Sequence, residues 1–463
     1  MVKFENRFSN TSFVSFVPSV MERISCRKPK TNDFTKKGMV INMAYDRERD
    51  WQAIRERIGG ALGEEVAELM KELYAFYDLR IVKWLASLCY PETGAFYYST
   101  PAKETEGYLP DIETTYFILE GIRSLGMYRK EGGKFSDVTP KWLNVKVKAW
   151  LDSLQSPEDG YFYHPQWGKE VSILRKSRDL TSALNTLEGL RETPKYPTPL
   201  VSAKKNGVDL SSVPENFRSV EAFCAYLERY DLSKSSYQIG SEILSQLPEI
   251  EAYGTMLGSD LKALVIEWFN KYKRDDTGLW HSVLDYTAVN GLHKISWVYN
   301  IVGAPISNPE LCADSTFSVI MSDVAPSVVV DVYNPWHSVG ELLKNVKLFA
   351  PERAEAFTSY IREKAPAAIR RTIEKIVEFK LPDGSISYSK GGCDFTSQGA
   401  PASPRDKRGS SVNGTFCGSS ALTRSIYAAL DLADIEAPIF TEDDLPVFLE
   451  ELEKTVGPEY RTV

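Results

Sequence analysis

The chain has no Cys-x-x-Cys pair, no apolar run near the ~20 residues of a membrane helix, and no concentrated Lys/Arg block. Each absence removes a class of protein. Six scattered cysteines (Cys26, Cys89, Cys224, Cys312, Cys393 and Cys417) in 463 residues read as reduced thiols, not as a zinc knuckle or a disulfide framework. That usage suits the cytoplasm. With 55 basic against 63 acidic residues the net charge is −8, so neither nucleic acid nor a membrane surface is an expected partner. Serines and a proline interrupt the apolar residues Phe13, Val14, Phe16 and Val17, and no small-residue cleavage site follows, so no signal peptide is expected. Alternation of β-branched residues is sparse, which argues against a substantial sheet. Histidine is scarce as well: His164, His281, His293 and His337 are the only four. Without HExxH or a phosphate-cradling glycine loop, no metal and no cofactor is expected.

What the chain does contain is an internal repeat. Val82-Lys-Trp84-Leu-Ala-Ser-Leu leads to Pro91-Glu-Thr-Gly94-Ala-Phe96, and Lys148-Ala-Trp150-Leu-Asp-Ser-Leu leads to Pro157-Glu-Asp-Gly160-Tyr-Phe162. Both the tryptophans and the glycines of these two copies are 66 residues apart. A third copy runs from Trp268 to Asp276-Thr-Gly278-Leu-Trp280, and a looser fourth ends in Asp383-Gly384-Ser-Ile386. Gly160 to Gly278 is 118 residues and Gly278 to Gly384 is 106, each about two repeats. Degenerate copies are therefore expected near residues 219 and 331, as helix pairs at 220–229 with 235–247 and at 315–321 with 336–348. Each copy reads as an amphipathic helix, a tight turn whose glycine takes positive φ, an aromatic staple, a loop, and a second helix. Asp111 and Asp179 stand as caps of two second helices, which then share Leu119-Glu120-Gly121-Ile122 and Leu187-Glu188-Gly189-Leu190.

The string Trp150-Leu-Asp-Ser-Leu-Gln-Ser-Pro-Glu-Asp-Gly160-Tyr-Phe resembles the glutamine–tryptophan type repeat of terpenoid cyclases and protein prenyltransferases. The helix–turn–aromatic plan is similar to that of six-hairpin glycosidases and toroidal polysaccharide lyases. The resemblance covers roughly residues 45–435 and implies an all-α fold, an (α/α)6 toroid of about six helix hairpins, two of them degenerate. Residues 45–463 would form one domain. Residues 1–44 lack a helical period and read either as a flexible tail or as sequence upstream of a natural start at Met39 or Met43. The cyclase acid Asp-x-Asp-Asp and the diphosphate-binding Asp-Asp-x-x-Asp are both missing, which turns the reading from prenyl groups towards sugars.

In such toroids the loops leading into the inner helices build the site. Two carboxylates across a cavity can supply the acid and the base or nucleophile of glycoside hydrolysis. Asp111, Glu113 and Asp179 are the catalytic candidates, although Asp at a helix start serves equally as an N-cap. Tyr108 and Arg178 adjoin them as substrate-binding candidates. Tyr286, His293 and His337, with Asn290 between the first two, suggest polysaccharide-lyase chemistry instead, Asn and His neutralising a uronate carboxylate and Tyr or His taking the C5 proton. Trp336 reads equally as a sugar-stacking platform or a core aromatic, Asn413 as a residue facing the cavity from the sixth inner helix or as its cap, and the long loop 383–419 as a lid or substrate-binding loop. The expected partner is a small molecule or oligosaccharide; the isoprenoid-handling and purely binding alternatives predict a dry aromatic cavity or fully capped carboxylates. Oligomeric state is not readable from the chain.

Overall fold

The computed structural model describes residues 45–199, 213–392, 395–397 and 399–461, so the expected tail at 1–44 lies outside it. The described chain is helical apart from one two-stranded pair, β1 (Thr396–Ser397) and β2 (Ala400–Pro401). Helices α1 (Glu48–Ile58), α2 (Gly60–Ala75) and α3 (Arg80–Ser87) come first, followed by α4 (Ile112–Ser124), α5 (Lys141–Leu154) and α6 (Ile173–Gly189). Next come α7 (Val220–Leu227), α8 (Leu232–Leu257), α9 (Leu261–Tyr272), α10 (Tyr286–Val302) and α11 (Pro309–Met321). The remainder are α12 (Val330–Phe349), α13 (Ala354–Ile376), α14 (Val412–Phe416), α15 (Leu422–Ala429) and α16 (Leu445–Val456). A π-helical turn, Cys417–Ala421, joins α14 to α15. Among the described residues no helix is long and apolar enough to cross a membrane. Cys89, Cys224, Cys312 and Cys417 are free thiols; Cys26 and Cys393 fall outside the described residues.

The repeat seen in the sequence is a repeat of backbone geometry. Gly94, Gly160 and Gly278 each donate to the carbonyl four residues earlier, at 2.8, 3.0 and 2.9 Å. The residues that accept those bonds (Tyr90, Ser156, Arg274) donate in turn across the turn to Ala95, Tyr161 and Leu279, each at 2.8 Å. In the fourth copy Leu381 donates to Ser385 at 2.9 Å. The four turn glycines have φ of 71°, 75°, 70° and 86° in chain order, a region that glycine reaches without steric cost. The residues two positions on (Phe96, Phe162, Trp280 and Ile386) are all buried. At Gly160 a Cβ would lie 2.0 Å from the Pro197 carbonyl oxygen. Gly160→Ala therefore combines positive-φ strain with overpacking, and should cost about 2–4 kcal/mol, read as a lowered denaturant midpoint. A midpoint unchanged from wild type would show that the turn yields freely.

Side-by-side packing orders the longer helices. One row of contacts runs α6–α4–α14, continues through α15 to α12, and ends α10–α8. Around it, α9 packs on α8, α11 and α13 pack on α12, α2 packs on α13, and α16 packs on α3. Helix pairs expected near residues 219 and 331 are present as α7 with α8 and α11 with α12. The glycine in each shared Leu-Glu-Gly string has a packing reason: a Cβ on Gly121 would lie 2.5 Å from the Phe416 ring, and one on Gly189 2.0 Å from the Phe135 ring. Two expectations need correction. Asp179 does not cap a helix, because α6 begins at Ile173 with Ser172 as its cap, which places Asp179 in the second turn. The segments around His293 and Trp336–His337, expected in site-building loops or at inner-helix starts, lie inside α10 and α12, past their first turns.

Candidate functional site

The three candidate carboxylates meet on a side chain that the sequence reading did not single out. Asp111 caps α4, accepting from the Thr114 amide at 2.6 Å, as expected of Asp before an amphipathic run. Its other oxygen accepts from Arg175 Nη2 at 2.8 Å. Asp179, one turn beyond Arg175 on α6, takes Arg175 Nη2 at 2.5 Å and Nε at 3.1 Å. Glu113 Oε2 lies 3.4 Å from Arg175 Nη1, and Glu113 Oε1 is ion-paired with Arg178 Nη2. The Arg175–Asp179 spacing of four on a helix was the available signal. What hid it was the start of α6: its extra turns carry Arg175 and Arg178 across to α4.

This cluster is closed. Arg175 is 0% exposed, Asp111 and Asp179 are each 1%, and Glu113 is 5%. The β1–β2 hairpin completes the enclosure, with Ser397 Oγ accepting from Arg175 at 2.9 Å and donating to Glu113 Oε2 at 3.1 Å. Gln166 ties the hairpin to the α4 entrance, donating to the Pro401 carbonyl at 2.8 Å and accepting from the Leu109 amide at 3.0 Å. Trp167 lies under the Arg175 guanidinium at 5.2 Å and stacks on His164 with ring centroids 3.7 Å apart. Burial pulls His164 down to about 4, so the ring is neutral; its Nε2 contacts the Pro110 carbonyl at 2.6 Å. Three carboxylates face two guanidiniums, and the imbalance falls on Asp179. Burial raises it to about 7, with Arg175 opposing. Asp111 is held below the ordinary carboxylate range, because Arg175, His164 and the Thr114 amide outweigh its burial.

A second group adjoins the first and retains some exposure. It comprises Arg178 on α6, Tyr237 on α8, Lys294 and Trp297 on α10, Tyr333 and His337 on α12, and Asn413 and Cys417 at α14. Arg178 acts electrostatically on Tyr237, Lys294, Tyr333 and Cys417. Side chains from both ends of the helix row, α6 and α8, are therefore neighbours. Lys294 Nζ lies 5.6 Å from the Tyr237 ring centroid and 5.0 Å from that of Trp297. Burial and then the Arg178 charge pull its amine down to about 8. His337 and His293 are 4.7 Å apart between ring centroids, with His337 also 5.2 Å from Trp297. Burial and the Lys294 charge pull His337 down to about 3 and His293 well below its ordinary value, so both imidazoles are neutral. Burial pushes the Cys417 thiol up to about 12, leaving it protonated, and it contacts Asn413 Oδ1 at 3.6 Å.

The other candidates separate from this group. Tyr286 accepts from Lys375 Nζ at 2.7 Å and so faces α13, not the histidines. Trp336 is 0% exposed and donates to Thr372 Oγ1 at 2.8 Å, edge-on to Phe317; it is a core residue that cannot stack on a ligand. Tyr108 stays on the partly exposed loop ahead of Asp111, its amide donating to the Thr105 carbonyl at 3.3 Å. Lys294 and Tyr333 border the candidate segments 286–294 and 333–337, whereas Tyr237 and Trp297 read in the sequence only as further residues of amphipathic helices. No protein-family model matches this chain, and comparison with curated proteins and with solved structures gave no significant match.

Proposed function

We propose that the chain is a carbohydrate-active enzyme built as an (α/α)6 toroid, with the space between its inner helices as the active site. The observation that carries this reading is the meeting of Arg178, Tyr237, Lys294, Trp297, Tyr333 and His337 from four helices of one row, beside three clustered carboxylates of which Asp179 is raised and Asp111 lowered. An arc of inner helices whose two ends approach one another is the plan of a closed ring. Aromatic faces interleaved with hydrogen-bonding groups suit sugar rings, which present both an apolar face and hydroxyls.

Hydrolysis is the leading chemistry. It needs one carboxyl protonated near neutral pH and one ionised, and neighbouring carboxyls pushed apart in pKa are the usual mark of such a pair. Asp179, raised by burial beside a lowered Asp111, fits the proton donor; Glu113 is assigned the role of base or nucleophile on position alone, ion-paired with Arg178 at the edge of the closed cluster. A glycoside reaches them only when the Ser397 contacts open. A second reading, β-elimination from a uronate, is favoured by the neutral His293–His337 pair next to Tyr333, with His293 and Tyr333 ring centroids 6.2 Å apart.

One assay separates the two. Purified protein is incubated with a panel of oligosaccharides while new reducing ends and the ultraviolet absorbance of an unsaturated uronate are followed together. Hydrolysis releases reducing ends without absorbance, and Glu113→Gln should then lower kcat by about 10²–10⁴-fold. Elimination raises both signals and should respond to His337→Ala and Tyr333→Phe. Absence of both signals across neutral and acidic substrates would overturn the enzyme reading.

A further inference from the structure

We infer that Lys294 is the recognition point for an oxyanion, a carboxylate or a phosphate, carried by a ligand that enters beside Tyr237 and Trp297. The inference deepens the proposed function by naming the charge its substrate carries, and it rests on that reading for the location of the site.

The argument starts from what surrounds the amine. Among the described residues no carboxylate lies within ion-pairing distance of Lys294 Nζ, and it makes no hydrogen bond to protein. Two aromatic faces lie 5.0 and 5.6 Å from it. An ammonium taken out of bulk water without a counter-ion is costly, and cation–π contact offsets only part of that cost. The neighbouring groups that could have served as counter-ion are committed or uncharged: Glu341, beside His337, accepts from Asn300 at 2.6 Å and lies 3.6 Å from Lys344. Glu113 is held by Arg178 and by Ser397. Asp111 and Asp179 are held by Arg175 behind it. Cys417 is a thiol, and His293 and His337 are neutral rings with no charge to give.

The position is nonetheless reachable. Lys294, Tyr237, Trp297, Tyr333 and Arg178 all keep partial exposure, whereas the guanidinium at the centre of the neighbouring cluster has none. A ligand oxyanion would supply the counter-ion that Lys294 lacks. A neutral sugar could use the aromatic face but would leave the amine unpaired.

The test is calorimetric titration of the full chain with three probes: trigalacturonate, glucose 6-phosphate and the neutral maltotriose. At least one anionic probe should bind tenfold or more tighter than maltotriose. Lys294→Met should weaken that binding about tenfold to hundredfold, the range for a charge-assisted hydrogen bond. Lys294→Arg should restore part of it. The Lys294→Met melting temperature should match or exceed that of wild type, because an unpaired buried charge has been removed. Equal affinity for maltotriose and both anions, equal anion affinity in Lys294→Met, or no binding of either anion overturns the inference. Tight, Lys294-dependent binding of glucose 6-phosphate without trigalacturonate identifies phosphate as the oxyanion. If maltotriose binds and is cleaved as well as trigalacturonate, the carbohydrate reading stands and the anion subsite falls.

Discussion

Arg175→Met is expected to lose about 3–5 kcal/mol of stability, the usual cost of stripping the partner from buried charges. The guanidinium is wholly buried and holds Asp111, Asp179 and Glu113 at once, so its removal leaves three carboxylates against Arg178 alone. The pH dependence of melting gives the sharper check. In the wild type Asp179 is raised to about 7, above its unfolded value near 4. Its contribution to stability is therefore complete below about pH 4 and is lost as pH rises through 7. Asp111 is lowered and works in the opposite sense, its contribution being present at neutral pH and lost in acid. Without Arg175 the lowering of Asp111 loses its main cause. The variant should therefore gain stability relative to wild type as pH falls from 7 towards 4. Melting curves that keep the wild-type pH profile would refute the picture of a shared guanidinium holding the cluster together.

Lys375→Met should cost about 2–4 kcal/mol, although it lies outside the candidate site. Lys375 on α13 reaches the end of α11, donating to the Ile320 carbonyl at 2.7 Å, the Ser322 carbonyl at 2.9 Å and the Tyr286 hydroxyl at 2.7 Å. The last carbonyls of a helix have no partner within it, and buried acceptors left unmet cost about 1–3 kcal/mol each. Methionine fills similar volume and donates nothing. Burial pulls the Lys375 amine down to about 8, below its unfolded value near 10.4. In that window the unfolded chain holds the proton and the folded chain does not, so wild-type stability should rise between about pH 8 and 10.4. Lys375→Met should flatten this part of the profile and lower the denaturant midpoint at neutral pH. A midpoint within about 0.5 kcal/mol of wild type would mean that water replaces the amine at the end of α11.

The features legible in the chain were those set by short-range interactions. Gly94, Gly160, Gly278 and Gly384 could be read as positive-φ turn residues because turn, staple and bond all close within about six positions. Asp111 was a legible cap because the amide it accepts from is three residues away. The degenerate helix pairs near residues 219 and 331 followed from the period alone. Asp179 fails as a cap for an equally local reason that was overlooked: Ser172 is also a good N-cap, and α6 begins there.

What the chain alone determined, then, is an all-helical repeat with its turns, its caps and the loops around Asp111 and Gly384. Tertiary structure decided which side chains meet. Helices α10 and α12 have neighbours on more than one side, so they are apolar around much of their circumference and helical period cannot separate inward from outward positions. On that account Trp336 and Tyr286 read as site residues but pack against α13, while Lys294, one residue from His293, lies between two aromatic rings, a placement no helical period separates from its neighbour's. Arg175 shows the same limit for charge: its distance from Asp111 is 64 residues in sequence and 2.8 Å in space, and only the packing of α6 on α4 brings the two together.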